Sequence, residues 1–170
     1  MRRALDLFYS LLMALAALAM VATFVVVILG IADRQLGLGL RGLDAYAGYG
    51  IAAALFLALP GTFVRDEHIR VTLALQAVPA RARAALELWC LAAGVVTASL
   101  LAWYACKLVW MSHGMNDVSP AADATPLWIP QIAMALGCVG FAVSMLDALA
   151  SRLAGKTFFR VATADAVHAE

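Results

Sequence analysis

The hydrophobic and polar positions of this chain are sorted into long blocks. Residues 7–31, 45–64, 88–106 and 127–146 contain no Asp, Glu, Lys, Arg or His. Crossing the hydrocarbon core of a bilayer takes about 20 predominantly apolar residues in a helix. Helices are the crossing form because lipid offers free backbone polar groups no partners. The pattern predicts an all-α integral membrane protein of four helices, with spans at about 5–31, 43–64, 84–110 and 126–149. They make up a membrane domain over residues 1–150, followed by a tail over 151–170.

Prolines and small residues refine this outline. Pro79 can open the third helix, and Thr125 before Pro126 forms an N-cap and first-position pair for the fourth. Pro60 and Pro130 each remove a backbone donor inside or near a span, so local kinks are expected there. Small residues recur at four-residue spacing: Gly50, Ala54 and Ala58 on the second span, Gly94, Ala98 and Ala102 on the third, Ala133 and Gly137 on the fourth. Such stripes let helices approach closely in lipid, either within this chain or against a second membrane protein. Between spans two and three, Ile69, Val71, Leu73 and Leu75 alternate with Arg70, Thr72 and Gln76 in a strand-like way. A lone strand would leave its edges unpaired, so a short interfacial helix is the expectation for this connector.

Composition closes off other classes. With 65% hydrophobic and 14% charged residues among 170, there is no room for a separate soluble domain. The longest connector, residues 65–87, is too short to build its own core, and a net charge of +1 gives no general attraction to nucleic acid. Arg2 and Arg3 ahead of an apolar run resemble the start of a secretory signal, but the run over 7–31 exceeds the roughly 7–15 apolar residues of such signals. An uncleaved first span is expected.

Basic residues set the expected orientation. Arg2 and Arg3, then Arg65, Arg70, Arg81 and Arg83 in the second connector, and Arg152, Lys156 and Arg160 in the tail outweigh Arg34 and Arg41 in the first connector. The third connector has no Lys or Arg but carries Asp117 and Asp123. The positive-inside rule therefore places the N and C termini in the cytoplasm and the third connector outside, with Lys107 snorkelling to that outer interface. Trp103, Tyr104, Trp110 and Trp128 cluster at the outer ends of spans three and four, and Trp89 marks the inner start of span three. They read as interfacial anchors rather than as a substrate-binding aromatic box.

Candidate chemistry is sparse. Cys90, Cys106 and Cys138 all fall within spans, and the first two lie about 24 Å apart along one helix, too far to bond. They read as small apolar packing residues rather than redox or metal groups. Gly37-Leu38-Gly39-Leu40-Arg41-Gly42 spells the dinucleotide-binding string G-x-G-x-x-G, yet it connects two membrane helices and lacks the strand and βαβ unit the fingerprint requires. His68, His113 and His168 fall outside the spans, where none can ligate a haem between helices. The midplane offers mainly Thr97, Ser99 and small residues, whereas a transporter acting alone places ionisable or irregular groups there. Glu87 follows Arg83 by four residues and is expected to pair with it locally, while Asp6 and Asp147 sit at the cytoplasmic ends of spans one and four. No catalytic, cofactor-binding or metal-binding residue emerges, and a non-enzymatic supporting subunit is expected.

Two segments carry a resemblance. Arg65-Asp66-Glu67-His68-Ile69-Arg70-Val71, followed by Val78-Pro79-Ala80-Arg81-Ala82-Arg83 and Leu86-Glu87-Leu88, looks like the second connector of the small membrane subunit of tripartite ATP-independent periplasmic (TRAP) transporters. Its His-Ile-Arg-Val core is that family's best-known signature. Pro126-Leu127-Trp128-Ile129-Pro130-Gln131 resembles the opening of the family's fourth span, and the similarity covers roughly residues 5–149. The chain departs at span two, where Asp44-Ala45-Tyr46 has one carboxylate in place of an acidic pair, so no role of that pair is carried over.

The resemblance implies a small subunit of a secondary transporter in the bacterial inner membrane. Its partners would be a large membrane subunit, a periplasmic substrate-binding protein delivering a carboxylate-type solute, and membrane lipids, with no cofactor. On this reading the four spans brace the large subunit while it moves solute with an ion gradient. Arg65, His68, Arg70, Arg81 and Arg83 would anchor the cytoplasmic rim to lipid head groups, at about 1 kcal/mol per basic residue. The outer loop 111–125, with Pro126, Trp128, Pro130 and Gln131 beneath it, is either a contact for the periplasmic partner or a solvated connector. The alternative to a subunit is a free-standing four-helix protein, a small exporter or a structural bundle. An exporter calls for a carboxylate deep in a span, which this sequence lacks.

Overall fold

The computed structural model of the protein describes residues 2–65, 79–121 and 124–155. Among the described residues are four helices: α1 (Arg2–Leu36), α2 (Leu43–Val64), α3 (Ala80–Met115) and α4 (Trp128–Leu153). All four are long and apolar enough to cross a membrane, and no strand occurs among the described residues. The expected interfacial helix after α2, and the tail beyond Gly155, lie outside the described residues.

Lengths differ in a way the bilayer makes meaningful. The 22 residues of α2 and 26 of α4 span about 33 and 39 Å at 1.5 Å per residue. The 35 residues of α1 and 36 of α3 reach about 52 and 54 Å. A hydrocarbon core is about 30 Å thick, so α1 and α3 tilt or carry their ends past it. In particular α3 continues through Met115, and residues 111–115, expected in the outer loop, are its last turn.

The helices pack in an open row whose order is α1, α2, α4, α3. Neighbours in the row pack along each other, α1 meets α4 only marginally, and α3 is held by α4. The sorting of residues is the inverse of a water-soluble core. Ala16, Ala98, Ala102, Ala135, Cys138, Ser144 and Ala148 are buried, while Leu7, Leu18 and Phe24 on α1 and Trp89, Trp103 and Trp110 on α3 face outward. Lipid tails are as apolar as Leu, so large side chains gain nothing by turning inward, whereas small ones let backbones come close and pack.

The small-residue stripes serve contacts within the chain. Gly137 of α4 lies directly on the backbone of Phe56 in α2, and Gly140 faces Leu12 of α1 and Pro60 of α2. Gly50 faces Thr23, Gly94 faces the Met145 sulfur, and Ala58 and Ala133 pack against Leu12, Ala16 and Leu57. A second cluster joins α3 to α4 through Ala98, Ala102, Ala105, Ala135, Cys138 and Ala142. Buried hydroxyls are satisfied along their own helices: Thr23 Oγ1 donates to the Ala19 carbonyl at 2.8 Å and Ser144 Oγ to that of Phe141 at 2.8 Å.

Several boundary expectations are corrected. Pro79 does precede α3 as its N-cap, but α4 starts at Trp128 with Leu127 as N-cap, two residues later than the Thr125 and Pro126 pair implied. Thr125 is engaged elsewhere, by a tyrosine. Pro130 is then the third residue of α4, where a backbone N–H has no intrahelical acceptor in any case, so its missing donor requires no kink. Pro60 lies inside α2 and is fully buried against Gly140. Of the three cysteines only Cys138 packs; Cys90 and Cys106 are exposed.

Candidate functional site

The end of the molecule holding the α1–α2 and α3–α4 connections is built as a plate. The first connection, residues 37–42, turns sharply through Gly37, Gly39 and Gly42, all in left-handed conformations with φ of 63°, 73° and 82°. That geometry disfavours any residue with a Cβ, and it explains the glycine string without a nucleotide. The Leu40 N–H donates to Asp33 Oδ1 at 2.9 Å, and Arg34 pairs with Asp44 at 3.0 Å, tying the end of α1 to the start of α2.

The second connection is pinned to α2. Asn116 ends α3 in the left-handed conformation that Asn tolerates, and the Asp117 N–H returns to the Ser112 carbonyl at 3.0 Å. Val118 and Pro126 form an isolated antiparallel bridge, flanked by the bonds from the Ser119 N–H to the Thr125 carbonyl at 2.8 Å and from the Leu127 N–H to the Asp117 carbonyl at 3.0 Å. Tyr49 of α2 donates its hydroxyl to Ser119 Oγ at 2.7 Å, and the Tyr46 and Thr125 hydroxyls bond at 3.0 Å. The two tyrosine rings meet edge to face at 6.2 Å. Ser112 and Ser119 are both buried beneath this plate.

Each of the four expected contact residues takes part. Pro126 is exposed at the bridge. Trp128 opens α4 with its ring edge to face against His113 of α3 at 5.3 Å. Pro130 is half-buried in the first turn, and Gln131 keeps its N–H on the Leu127 carbonyl at 3.3 Å. The Gln131 Oε1 is buried with no hydrogen-bond partner among the described residues. Sequence reasoning missed Tyr46, Tyr49 and Ser119, whose hydroxyl bonds tie α2 to the second connection. The signal available was two tyrosines one turn apart at the polar start of a span.

Of the basic rim expected at the opposite end, the structure describes one side chain, that of Arg65. Arg65 caps α2 through its N–H on the Gly61 carbonyl at 3.1 Å, and its side chain lines a cavity of about 350 Å³ with Asp6, Tyr9 and Ser10 of α1. Arg81 and Arg83 lie in the first turn of α3, their side chains outside the described ones, and His68 and Arg70 lie outside the described residues altogether. Glu87 accepts a bond from Arg152 of α4 at 2.8 Å, closing this end of the α3–α4 pair, while its expected pairing with Arg83 falls on a side chain outside the described ones.

Among the described residues no three His, Cys, Asp or Glu side chains gather as a metal site. Among the described residues one end offers a hydrogen-bonded plate and the other Asp6, Arg65 and the Glu87–Arg152 pair, joined by helices whose flanks are apolar.

Among curated proteins the chain finds no match. A family model described as the DctQ component of tripartite ATP-independent periplasmic transporters matches residues 23–155, from the middle of α1 through the whole of α4. The chain therefore belongs to the DctQ family, the small membrane component of TRAP transporters.

Proposed function

We propose that this chain is the scaffold subunit of a TRAP secondary transporter in a bacterial inner membrane, bracing a large membrane subunit that takes up a carboxylate-type solute. The family works with such a large subunit and with a periplasmic binding protein. The observation that carries the scaffold reading is the open row. Four helices joined edge to edge by glycine and alanine contacts leave two broad apolar faces and no described charged group in mid-span. A row has faces to offer a second membrane protein that a closed bundle does not, and without mid-span charge it has no ion path of its own.

Orientation follows from charge. The N and C termini and the Arg65, His68, Arg70, Arg81 and Arg83 rim face the cytoplasm, where these residues bind lipid head groups. Residues 1–150 make up the membrane domain, and 151–170 are a cytoplasmic tail. The plate of Tyr46, Tyr49, Ser119 and residues 126–131 then faces the periplasm, as the docking contact for the binding protein. Its hydrogen bonds support this: a surface already tied together binds at less cost in ordering.

The test is copurification. An affinity-tagged copy of this chain, extracted in mild detergent, brings down a large polytopic membrane protein in stoichiometric yield. Recovery of this chain alone, from cells shown to make the large subunit, contradicts the proposal.

A further inference from the structure

The edge of the row formed by α3 carries a pattern that packing within the chain does not use. Trp89, Val96, Trp103 and Trp110 recur every seven residues, and Ala92, Ser99 and Cys106 follow the first three of them by three positions. All seven are exposed, the tryptophans at 71%, 70% and 81%. The face by which α3 packs on α4 is a different one, built on Ala98, Ala102 and Ala105. Interfacial anchoring places tryptophans at the two ends of a span, but it does not require them in one line with a small residue after each large one. A seven-residue repeat of large and small positions is the seam for a second helix crossing at about 20°, where large side chains fill the spaces left by small ones.

The other edge of the row makes the contrast. Leu7, Leu18, Phe24, Val25 and Ile28 face outward on α1, large and uncharged, a surface suited to lipid tails. By comparison α3 is less apolar than α1 and also less buried within the chain.

Lys107 narrows the occupant. Cys106 and Val109, on either side of it in sequence, line a groove of about 200 Å³ with Ile132, Ala135 and Leu136 of α4. Those α4 residues belong to the uncharged run 127–146, so the Lys107 backbone lies level with apolar chain, about 12 Å inside the end of α3. Its side chain is exposed and has no ion-pair partner among the described residues. Positions beside the seam of two packed helices carry the charges that pair across it, and a cation among lipid tails is costly without an anion. This place calls for a carboxylate on the second helix.

We infer that the α3 edge seats a transmembrane helix of the large membrane subunit, which packs along the line from Trp89 to Trp110 and brings a carboxylate to Lys107. Given the subunit role proposed above, α3 rather than α1 is then the edge of contact.

The test uses this chain, tagged and co-expressed with its large subunit, and reads both cross-linking and recovery. A benzophenone side chain introduced at position 96 or 103 is expected to cross-link to the large subunit, and one at position 24 on α1 to lipid only. Ser99→Leu should lower recovery of the large subunit several-fold while leaving the unfolding temperature of the chain purified alone unchanged, since an exposed leucine costs nothing against lipid tails. Lys107→Glu should lower recovery likewise, and Lys107→Arg should retain it.

Full recovery with both Ser99→Leu and Lys107→Glu, or cross-linking from position 24 instead of 103, overturns the inference and leaves the subunit role standing. Cross-linking from position 103 to a second copy of this chain, or to phospholipid alone, overturns it in favour of self-association or of a lipid anchor. Should the parent chain recover no large subunit from cells shown to make it, the subunit role fails and the inference with it.

Discussion

Gly137 is where the row is closest. A Cβ there would overlap the backbone carbonyl of Phe56, an atom that no rotamer change can move aside. Gly137→Ala is therefore expected to destabilise the chain by about 1–3 kcal/mol through overpacking, read as a lowered unfolding temperature of the purified protein in detergent. Gly48→Ala, on α2 with nothing within 4 Å of its Cβ, should leave that temperature within error or raise it. The stripe containing Ala133 and Gly137 was legible in the sequence as a close-packing face; its partner was not, because many small residues in an alanine-rich chain offer equivalent spacing. The same limit applied to the cysteines. Nothing local separates Cys138, fully buried, from Cys106, which faces outward, until α4 is known to occupy the middle of the row.

At the scale of elements, the hydroxyls of Tyr46 and Tyr49 join α2 to a segment about 70 residues further on and hold the plate together. Tyr49→Phe removes the bond to Ser119 and leaves a buried Ser hydroxyl short of one donor, for about 0.5–1.5 kcal/mol. The expected result is faster hydrogen exchange at the amides of residues 117–121 with little change along α4, measured on the purified chain. Uniform exchange in parent and variant would show that the plate is held by its backbone bonds alone. The four helices and the first residue of α3 were legible because charge-free runs and Pro79 are strong local signals. The start of α4 was misplaced because Thr125 and Pro126 make a good local cap, but tertiary contacts claimed both: Tyr46 took the hydroxyl and Val118 the bridge. Glu87 shows the reach of packing over local spacing: α4 against α3 brings Arg152 within 2.8 Å of it, a contact 65 residues apart that no local pattern marks.

For the whole molecule, the row order α1, α2, α4, α3 was beyond sequence reading, since helices that face lipid are apolar all round and carry no amphipathic mark of their neighbours. Orientation rests on charge and is testable separately. A single cysteine at position 117, in a background without Cys90, Cys106 and Cys138, should react with a membrane-impermeant thiol reagent added to intact spheroplasts, and one at position 4 should react only after lysis; the reverse pattern would invert the topology. We propose that mid-span chemistry belongs to a second chain, which this one holds in place. Solute uptake by proteoliposomes, energised by an ion gradient and supplied with the binding protein, separates the roles when measured with this chain alone, the large subunit alone, and both together. Uptake is expected with both and none with this chain alone; gradient-driven uptake by this chain alone would overturn the scaffold role.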